Sequence, residues 1–264
     1  MPEHLRPDAN TDWYTVAAIG LIAMCVVTVD HEALGHGGAC LAMGGHITVL
    51  TSSVFRCNVQ SVWIDPAGPG ANLLAGTVSL LMATRIPRHL TALRLLLTFV
   101  TCFSFFWEAG YLIKAMLDRR GDLYFAAEDF LGEPSFWWRT TGVAIGVILY
   151  WVTARWASRA LIGLFPNTGL ARRAARVAWV AATVGTALAA LAALPQAGGG
   201  LLALKDAVLE IGAASFPLLL IPLKRSGPTT ESNPTSVGRS VMMICLSLAL
   251  YLVFVAILGR GLYF

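Results

Sequence analysis

Residues 13–43 read WYTVAAIGLIAMCVVTVDHEALGHGGACLAM and combine a long apolar block with a group of ionisable residues. Its first part, residues 13–29, carries no charge and comes close to the roughly 20 apolar residues that a helix needs to cross a bilayer core. Charged residues make up only 13% of the 264-residue chain, whereas an ordinary soluble domain has about 25%. This shortage of charge predicts an integral membrane protein.

Similar apolar blocks recur along the chain and predict an all-α polytopic membrane protein, residues 1–264, with about seven transmembrane helices. The count falls to six if one block only dips into the bilayer. A polar connection, residues 46–64, follows the first block, and residues 47–50 and 61–64 within it have the composition of short strands. Residues 118–134 are polar and aromatic, which favours an interfacial segment. The predicted spans are residues 13–43, 66–84, 91–115, 136–165, 174–194, 201–223 and 241–258.

The basic residues lie in short clusters between the apolar blocks, which argues against a nucleic-acid-binding face. With seven spans, the loops on the side of the N-terminus carry about twice as many Lys and Arg residues as those on the other side. This asymmetry predicts a cytoplasmic N-terminus, and we expect a multi-pass protein of a bacterial inner membrane surrounded by lipid. Cys40 and Cys57 then fall on the opposite side, where they could pair in an oxidising compartment.

The first span contains a group of ionisable residues, Asp30-His31-Glu32-Ala33-Leu34-Gly35-His36. Ionisable side chains are costly inside a membrane, so they usually face a cavity, a partner or a metal. Two histidines that flank a glutamate in an otherwise uncharged span favour metal binding. A buried polar cluster with a purely structural role is the alternative.

The spacing of the two histidines differs from the usual zinc helix, H-E-x-x-H, in which they are four residues apart. His31 and His36 are five apart, which would separate them by roughly 140° around a regular α-helix. One inserted residue, forming a π-bulge, would bring them back to the same face, and such bulges are frequent at functional sites. Alternatively, Glu32 and His36 share the face and His31 lies nearer its edge.

The second span begins with residues 65–76, DPAGPGANLLAG, which resemble the A-G-P-x-x-N signature of site-2-protease-like intramembrane metalloproteases. The order of a metal helix, a strand-bearing loop and this second helix is also similar to that family. The resemblance implies that His31 and His36 bind zinc, that Glu32 is catalytic and that Asn72 has a supporting polar role. The wider histidine spacing itself resembles the zinc helix of the soluble dipeptidyl-peptidase III family.

The resemblance also implies a third zinc ligand, an Asp after the third span, usually in the sequence L-D-G. The segment Leu117-Asp118-Arg119 departs from that sequence, whereas Gly121-Asp122-Leu123 is closer to a G-D variant. We therefore expect Asp122 to be the third ligand, with Asp118 and Glu108 as alternatives. Glu108, within the third span, and His46, in the loop after the first, are also candidates for supporting roles.

Together these features predict a zinc-dependent intramembrane metalloprotease that cleaves membrane-embedded or membrane-adjacent peptides. The metalloprotease-like core would be residues 13–125, and residues 136–258 would form additional transmembrane helices that the resemblance does not explain. The alternative is a non-catalytic membrane protein on the same scaffold, such as a subunit or binding module of a larger membrane complex. Di-iron membrane hydroxylases are associated with a pattern of about eight histidines, whereas this chain has five. Metal transporters usually repeat their ligands over several spans, whereas here the candidates cluster around one helix. Both classes therefore fit less well. Glu210, in the sixth predicted span, has no assigned role.

Overall fold

The computed structural model describes residues 11–133, 135–193, 200–220 and 236–264, and these are mostly helical. The first helix runs without a break through α1 (Trp13–Val29), a π-helical segment π1 (Asp30–Gly37) and α2 (Gly38–Ala42). The other helical elements, in chain order, are α3 (Ile64–Arg85), α4 (Thr91–Asp118), α5 (Asp122–Leu131), α6 (Phe136–Leu164), α7 (Thr168–Leu191), α8 (Gly200–Ala207), π2 (Val208–Ala213), α9 (Pro217–Leu220), α10 (Val241–Phe254) and π3 (Val255–Gly259).

A small antiparallel sheet lies beside the first helix, with strand order β2-β1-β3. Its strands are β1 (Ile47–Leu50), β2 (Phe55–Cys57) and β3 (Leu262–Tyr263). The strand predicted at residues 61–64 is wrong, because Ile64 already begins α3. Asp65 and Pro66 follow in the first turn, where an acidic side chain and a proline without an N–H both favour a helix start.

The buried core joins the first helix to α4 and α7. Gly20 of α1 lies against the backbone of Ala178 in α7, where a Cβ on the glycine would be only 2.6 Å from the Ala178 Cα. Such close backbone contact between small residues is how helices associate in lipid. Four aromatic side chains of α4 are almost fully buried in the same core: Phe99, Phe103, Phe106 and Trp107.

Hydrogen bonds hold the helix α10–π3 near the first helix at one end and near the sheet-bearing connection at the other. The Asp12 N–H donates to the Val237 carbonyl over 2.8 Å, and the Ser240 N–H donates to Thr15 Oγ1 over 3.0 Å. At the other end, the Ser52 N–H donates to the Leu258 carbonyl over 3.0 Å. These bonds fix the far end of the chain next to the connection that carries the sheet.

Of the helices in the described part of the chain, four are long and apolar enough to cross a membrane: Trp13–Ala42, Thr91–Asp118, Thr168–Leu191 and Val241–Gly259. The finer prediction of six or seven spans is therefore not confirmed. The helix α3 is rich in small residues and has an aspartate in its first turn, and α6 carries three arginines, so both are less apolar.

The sixth predicted span, residues 201–223, is not one continuous helix. It consists of α8, then π2, then the short α9, which begins at Pro217. Proline has no N–H to continue the preceding helical bonds, and this favours an interruption. The ends of two predicted spans, residue 194 and residues 221–223, lie outside the described residues.

Candidate metal centre

The π-helical segment π1 brings His31 and His36 to the same side of the first helix. Hydrogen bonds from residue i to i+5 widen the helical turn and bring residues five apart closer to one side than a regular α-helix does. The two imidazole rings lie 5.0 Å apart, centroid to centroid. The distortion proposed from the spacing is therefore present, and both histidines are buried.

Asp122 completes a group of three potential metal ligands with the two histidines. Its Oδ2 lies 3.8 Å from His31 Nε2 and 3.3 Å from His36 Nε2. One ligand atom from each of the three residues fits within 4.8 Å of the others. Among the described residues, His31, His36 and Asp122 thus form a group that could hold a metal ion.

A left-handed glycine and a tyrosine position Asp122 at the start of α5. Gly121 has φ 99°, and a Cβ at this position would lie 2.7 Å from Tyr111 Oη, so glycine is needed for both its conformation and its size. The Asp122 N–H donates to Tyr111 Oη over 3.1 Å, and Tyr111 Oη donates to Asp122 Oδ2 over 3.2 Å. Tyr111 therefore fixes both the backbone and the carboxylate.

The charge state of Asp122 suits a ligand. Burial alone would raise the pKa of this carboxyl, but hydrogen bonding to His31 and His36 and their charges lower the pKa below its ordinary value. Only ionised carboxylates bind cations well, so the carboxylate is in its ligand form at neutral pH.

The Nδ1 atom of each histidine, which is the ring nitrogen that does not face Asp122, has a polar partner. His36 Nδ1 donates to the Ile64 carbonyl over 2.8 Å, and because a carbonyl oxygen can only accept, Nδ1 must carry the hydrogen. His31 Nδ1 lies 3.1 Å from Glu108 Oε1, to which the Asn72 amide donates over 2.8 Å. Carboxylate or carbonyl partners of this kind fix the tautomer of metal-binding histidines.

The donor atoms of His31, His36 and Asp122 are of the kinds that bind a zinc ion. When both rings are neutral and carry their hydrogen on Nδ1, the Nε2 atoms and the Asp122 carboxylate are acceptors that face one another. Such a group is stable only if a proton or a cation lies among the acceptors. Tetrahedral zinc with bonds of about 2.0–2.1 Å would separate its ligand atoms by roughly 3.3 Å; the His36–Asp122 separation is 3.3 Å and the His31–Asp122 separation is 3.8 Å. The three residues could therefore hold a metal ion.

Glu32 is buried beside the three ligand candidates. It shares with them a cavity of about 100 Å³, which Tyr111 and Glu210 also line. Because it directly follows His31 in π1, its position relative to the site is fixed by the same helix. The predicted catalytic glutamate and the predicted ligands therefore face one space.

The A-G-P-x-x-N sequence explains how α3 comes so close to π1. A Cβ on Gly35 would lie 2.6 Å from the Gly68 Cα, and a Cβ on Gly68 would lie 2.7 Å from His36 Cε1. Only glycine at both positions allows this backbone contact. Asn72, one turn after Gly68, then lies 3.1 Å from the His31 ring.

Aromatic rings and a disulfide enclose the histidines. His31 stacks on Trp107 with ring centroids 4.6 Å apart, and His36 stacks on Phe55 of β2 at 5.5 Å. Cys40, in α2, forms a disulfide with Cys57 at the end of β2. The disulfide therefore holds the strand that carries Phe55 beside the helix that carries His36.

The other candidates predicted from the sequence, Asp118, Glu108 and His46, lie outside the group of three ligands. Asp118 pairs with Lys114 at 3.6 Å and is outside the metal group, while Glu108 holds His31 instead of joining the ligands. His46 is exposed at the start of β1, and its backbone N–H donates to Asn58 Oδ1 over 2.7 Å; it does not reach the cluster. The sequence reasoning missed Tyr111, although its position three residues after Glu108 places both on the same side of α4.

Comparison with protein-family models, with curated proteins and with solved structures finds no match to this chain. The resemblance to site-2-protease-like enzymes therefore stays a prediction from the sequence motifs.

Proposed function

We propose that this protein is a zinc-dependent intramembrane metalloprotease that hydrolyses membrane-embedded or membrane-adjacent peptides. The observation that carries the proposal is the convergence of His31 Nε2, His36 Nε2 and Asp122 Oδ2 beside the buried carboxyl group of Glu32. Two histidines and one carboxylate are a ligand set of catalytic zinc sites, which leave a fourth position open.

Zinc bound by these three residues would polarise a substrate carbonyl and lower the pKa of a water molecule towards about 7. The protein would supply the remaining groups. Glu32 would take a proton from the attacking water and deliver it to the leaving amine, which is the role of a general base and then a general acid. Glu108 and Asn72 would keep His31 in the orientation that turns Nε2 inward.

The outer strand of the sheet supports a peptide substrate. In the order β2-β1-β3, the edge of β2 is unpaired among the described strands. A cleft of about 510 Å³ lies along β2, the start of α3 and α5. An extended peptide could add to β2 through backbone hydrogen bonds and so approach the site near Phe55. An extended substrate suits peptide hydrolysis because its scissile bond is free of helical hydrogen bonds.

The proposed setting is a multi-pass protein of a bacterial inner membrane with a cytoplasmic N-terminus. Four apolar helices of sufficient length support the membrane location. The disulfide between Cys40 and Cys57 supports placing the metal centre on the non-cytoplasmic side, because disulfides persist in oxidising compartments.

The first test is the zinc content of the detergent-purified full chain, measured by inductively coupled plasma mass spectrometry. We expect about one zinc per chain in the wild type and in His89→Ala, which changes an exposed histidine outside the site, and none in the double variant His31→Ala/His36→Ala. A metal-free wild-type preparation would contradict the proposal and favour the non-catalytic alternative.

The second test separates metal binding from catalysis. Wild type and Glu32→Gln are reconstituted with a library of labelled single-span peptides, and new peptide termini are identified by mass spectrometry. We expect Glu32→Gln to keep its zinc and to produce no new termini. Cleavage at an unchanged rate in Glu32→Gln would refute the proposed role of this residue.

A further inference from the structure

The interrupted sixth helix is held in its irregular shape by side chains of two neighbouring helices. Trp179 Nε1 of α7 donates to the Gly212 carbonyl over 2.9 Å, and Tyr150 Oη of α6 donates to the Ala214 carbonyl. Gly212 is also close to α7, since a Cβ there would lie 2.8 Å from Thr183 Cγ2. These contacts satisfy carbonyls that the irregular segment leaves open, so π2 has a defined position.

This position places Glu210 of π2 against the metal centre. Glu210 lines the same 100 Å³ cavity as the three ligand candidates. Its Oε2 is buried and has no hydrogen-bond partner among the described residues. A carboxyl group in such surroundings is costly unless a partner satisfies it.

The charges around Glu210 do not provide that partner. The acids nearest in charge effect to Glu210 are Glu32, Asp122 and Asp206, and the nearby His31 already faces Glu108 and Asp122 with its ring nitrogens. Glu210 therefore has no basic side chain of its own among these groups, and a cationic group next to Oε2 would satisfy it.

A groove of about 260 Å³ extends from Glu210 between α4, α6 and π2. Its walls are largely apolar and include Trp107 and Tyr150, while Asp206 adds a second acid. Tyr111 and Glu210 line both this groove and the metal cavity, so the two spaces adjoin. The groove also contains one cation, Lys114, which is ion-paired with Asp118 at 3.6 Å.

We propose that this groove is a substrate side-chain pocket and that it takes a Lys or Arg residue of an apolar substrate segment, with Glu210 as the partner of its charge. The pocket proposal rests on the proposed protease function, because it assumes that the adjoining cavity is where the peptide is cleaved. A long basic side chain suits this groove in shape and in charge. Its methylene groups can pack on the aromatic walls while its charged end reaches the carboxylate. The volume is below the range for whole drug-sized ligands and suits one side chain.

The test measures peptide binding without turnover. The full chain carrying Glu32→Gln is purified in detergent, its zinc is quantified, and fluorescence anisotropy gives the Kd of three labelled peptides. The peptides share one apolar sequence and differ at a single central position, which is Lys, Met or Glu. We expect the Lys peptide to bind about tenfold more tightly than the Met peptide, and the Glu peptide to bind most weakly. Equal Kd values for the three peptides would overturn the proposal.

Variants of Glu210 in the same background assign the preference to this residue. Glu210→Gln keeps the size of the side chain and is expected to make the Kd values of the Lys and Met peptides about equal. The Kd of the Met peptide itself should stay within about twofold of its value before this change. Glu210→Lys is expected to bind the Glu peptide most tightly. Glu133→Gln, at an exposed acid outside the groove, is the matched control and should retain the preference for Lys. A Lys preference that survives Glu210→Gln would also overturn the proposal.

The zinc measurement distinguishes the two proposals from each other. A zinc-loaded protein without charge preference contradicts the pocket and leaves the metalloprotease intact. A zinc-free protein that prefers the Lys peptide through Glu210 contradicts the metalloprotease and supports the pocket.

Discussion

His31 and His36 face each other across one π-helical turn, with ring centroids 5.0 Å apart, although five residues separate their numbers. A regular α-helix would turn one of them away from Asp122. The wider π-helical turn accommodates the extra residue between the two histidines. They therefore share one side of the helix, as the histidines of H-E-x-x-H do. Gly35, within the turn, is small enough to let α3 contact it directly.

Asp122 is expected to be essential for metal binding, in contrast to Asp118. Asp122→Asn removes one charge from the ligand group and should weaken zinc binding by more than about 100-fold, beyond the effect typical of outer-shell partners. Asp118→Asn changes only an exposed pair with Lys114 and should leave the zinc affinity unchanged. Competition with a chelating dye measures both affinities. Retention of zinc in Asp122→Asn together with its loss in Asp118→Asn would reverse the assignment.

The partners of His31 are expected to tune the metal affinity without abolishing it. Glu108→Gln and Asn72→Ala each remove part of the hydrogen-bonded group around His31 Nδ1. We expect each variant to lower the zinc affinity by about 10- to 100-fold. The same dye competition provides the measurement, with Thr140→Val, at an exposed position on α6, as a control. Affinities equal to the wild type would show that this hydrogen-bonded group does not orient the ring.

The contact between π1 and α3 is expected to tolerate no added methyl group. Gly68→Ala would place a Cβ against the His36 ring and should destabilise the protein by about 1–3 kcal/mol, as overpacking does. Gly70→Ala, two residues later on the same helix, meets no atom within 4 Å and should be neutral or slightly stabilising. Thermal unfolding in detergent compares the two variants. Equal melting temperatures would argue against the close contact.

The disulfide is expected to stabilise the wall of the site formed by β2. Cys40 and Cys57 are 17 residues apart, and closing a loop of this size contributes about 3 kcal/mol. Cys40→Ser should therefore lower the melting temperature, whereas Cys245→Ser, at an exposed free thiol, should not. Alkylation of the denatured, unreduced protein should modify Cys25, Cys102 and Cys245 only. Modification of all five cysteines would show that the bond is absent.

The main features of the site could be predicted from the sequence because they depend on local spacing and on rare residues. The five-residue separation of the histidines admitted a π-bulge, and the structure has one. Asp122 could be chosen over Asp118 only by resemblance, because the Gly121 conformation and the Tyr111 bonds that place it are tertiary features. The sequence does not reveal that α5 begins beside the first helix.

The fold was predicted less completely, for reasons that also lie in tertiary contacts. The strand at residues 55–57 is short and contains Arg56, so it has little pattern of its own and forms by pairing with β1. The break in the sixth predicted span depends on Trp179 and Tyr150, which come from distant parts of the chain and bind its carbonyls. Apolar composition alone cannot distinguish such a segment from a continuous helix.

The pairing of β1 with β3 has a consequence for the order of assembly. Val49 pairs with Tyr263 and Leu50 with Leu262, so a strand beside the metal centre is completed by residues from the opposite end of the sequence. Contacts of such large separation are made late, since their loop-closure cost must be met before they contribute stability. During synthesis the histidines therefore emerge long before their sheet is complete, and β1 keeps one open edge until the last helix has docked.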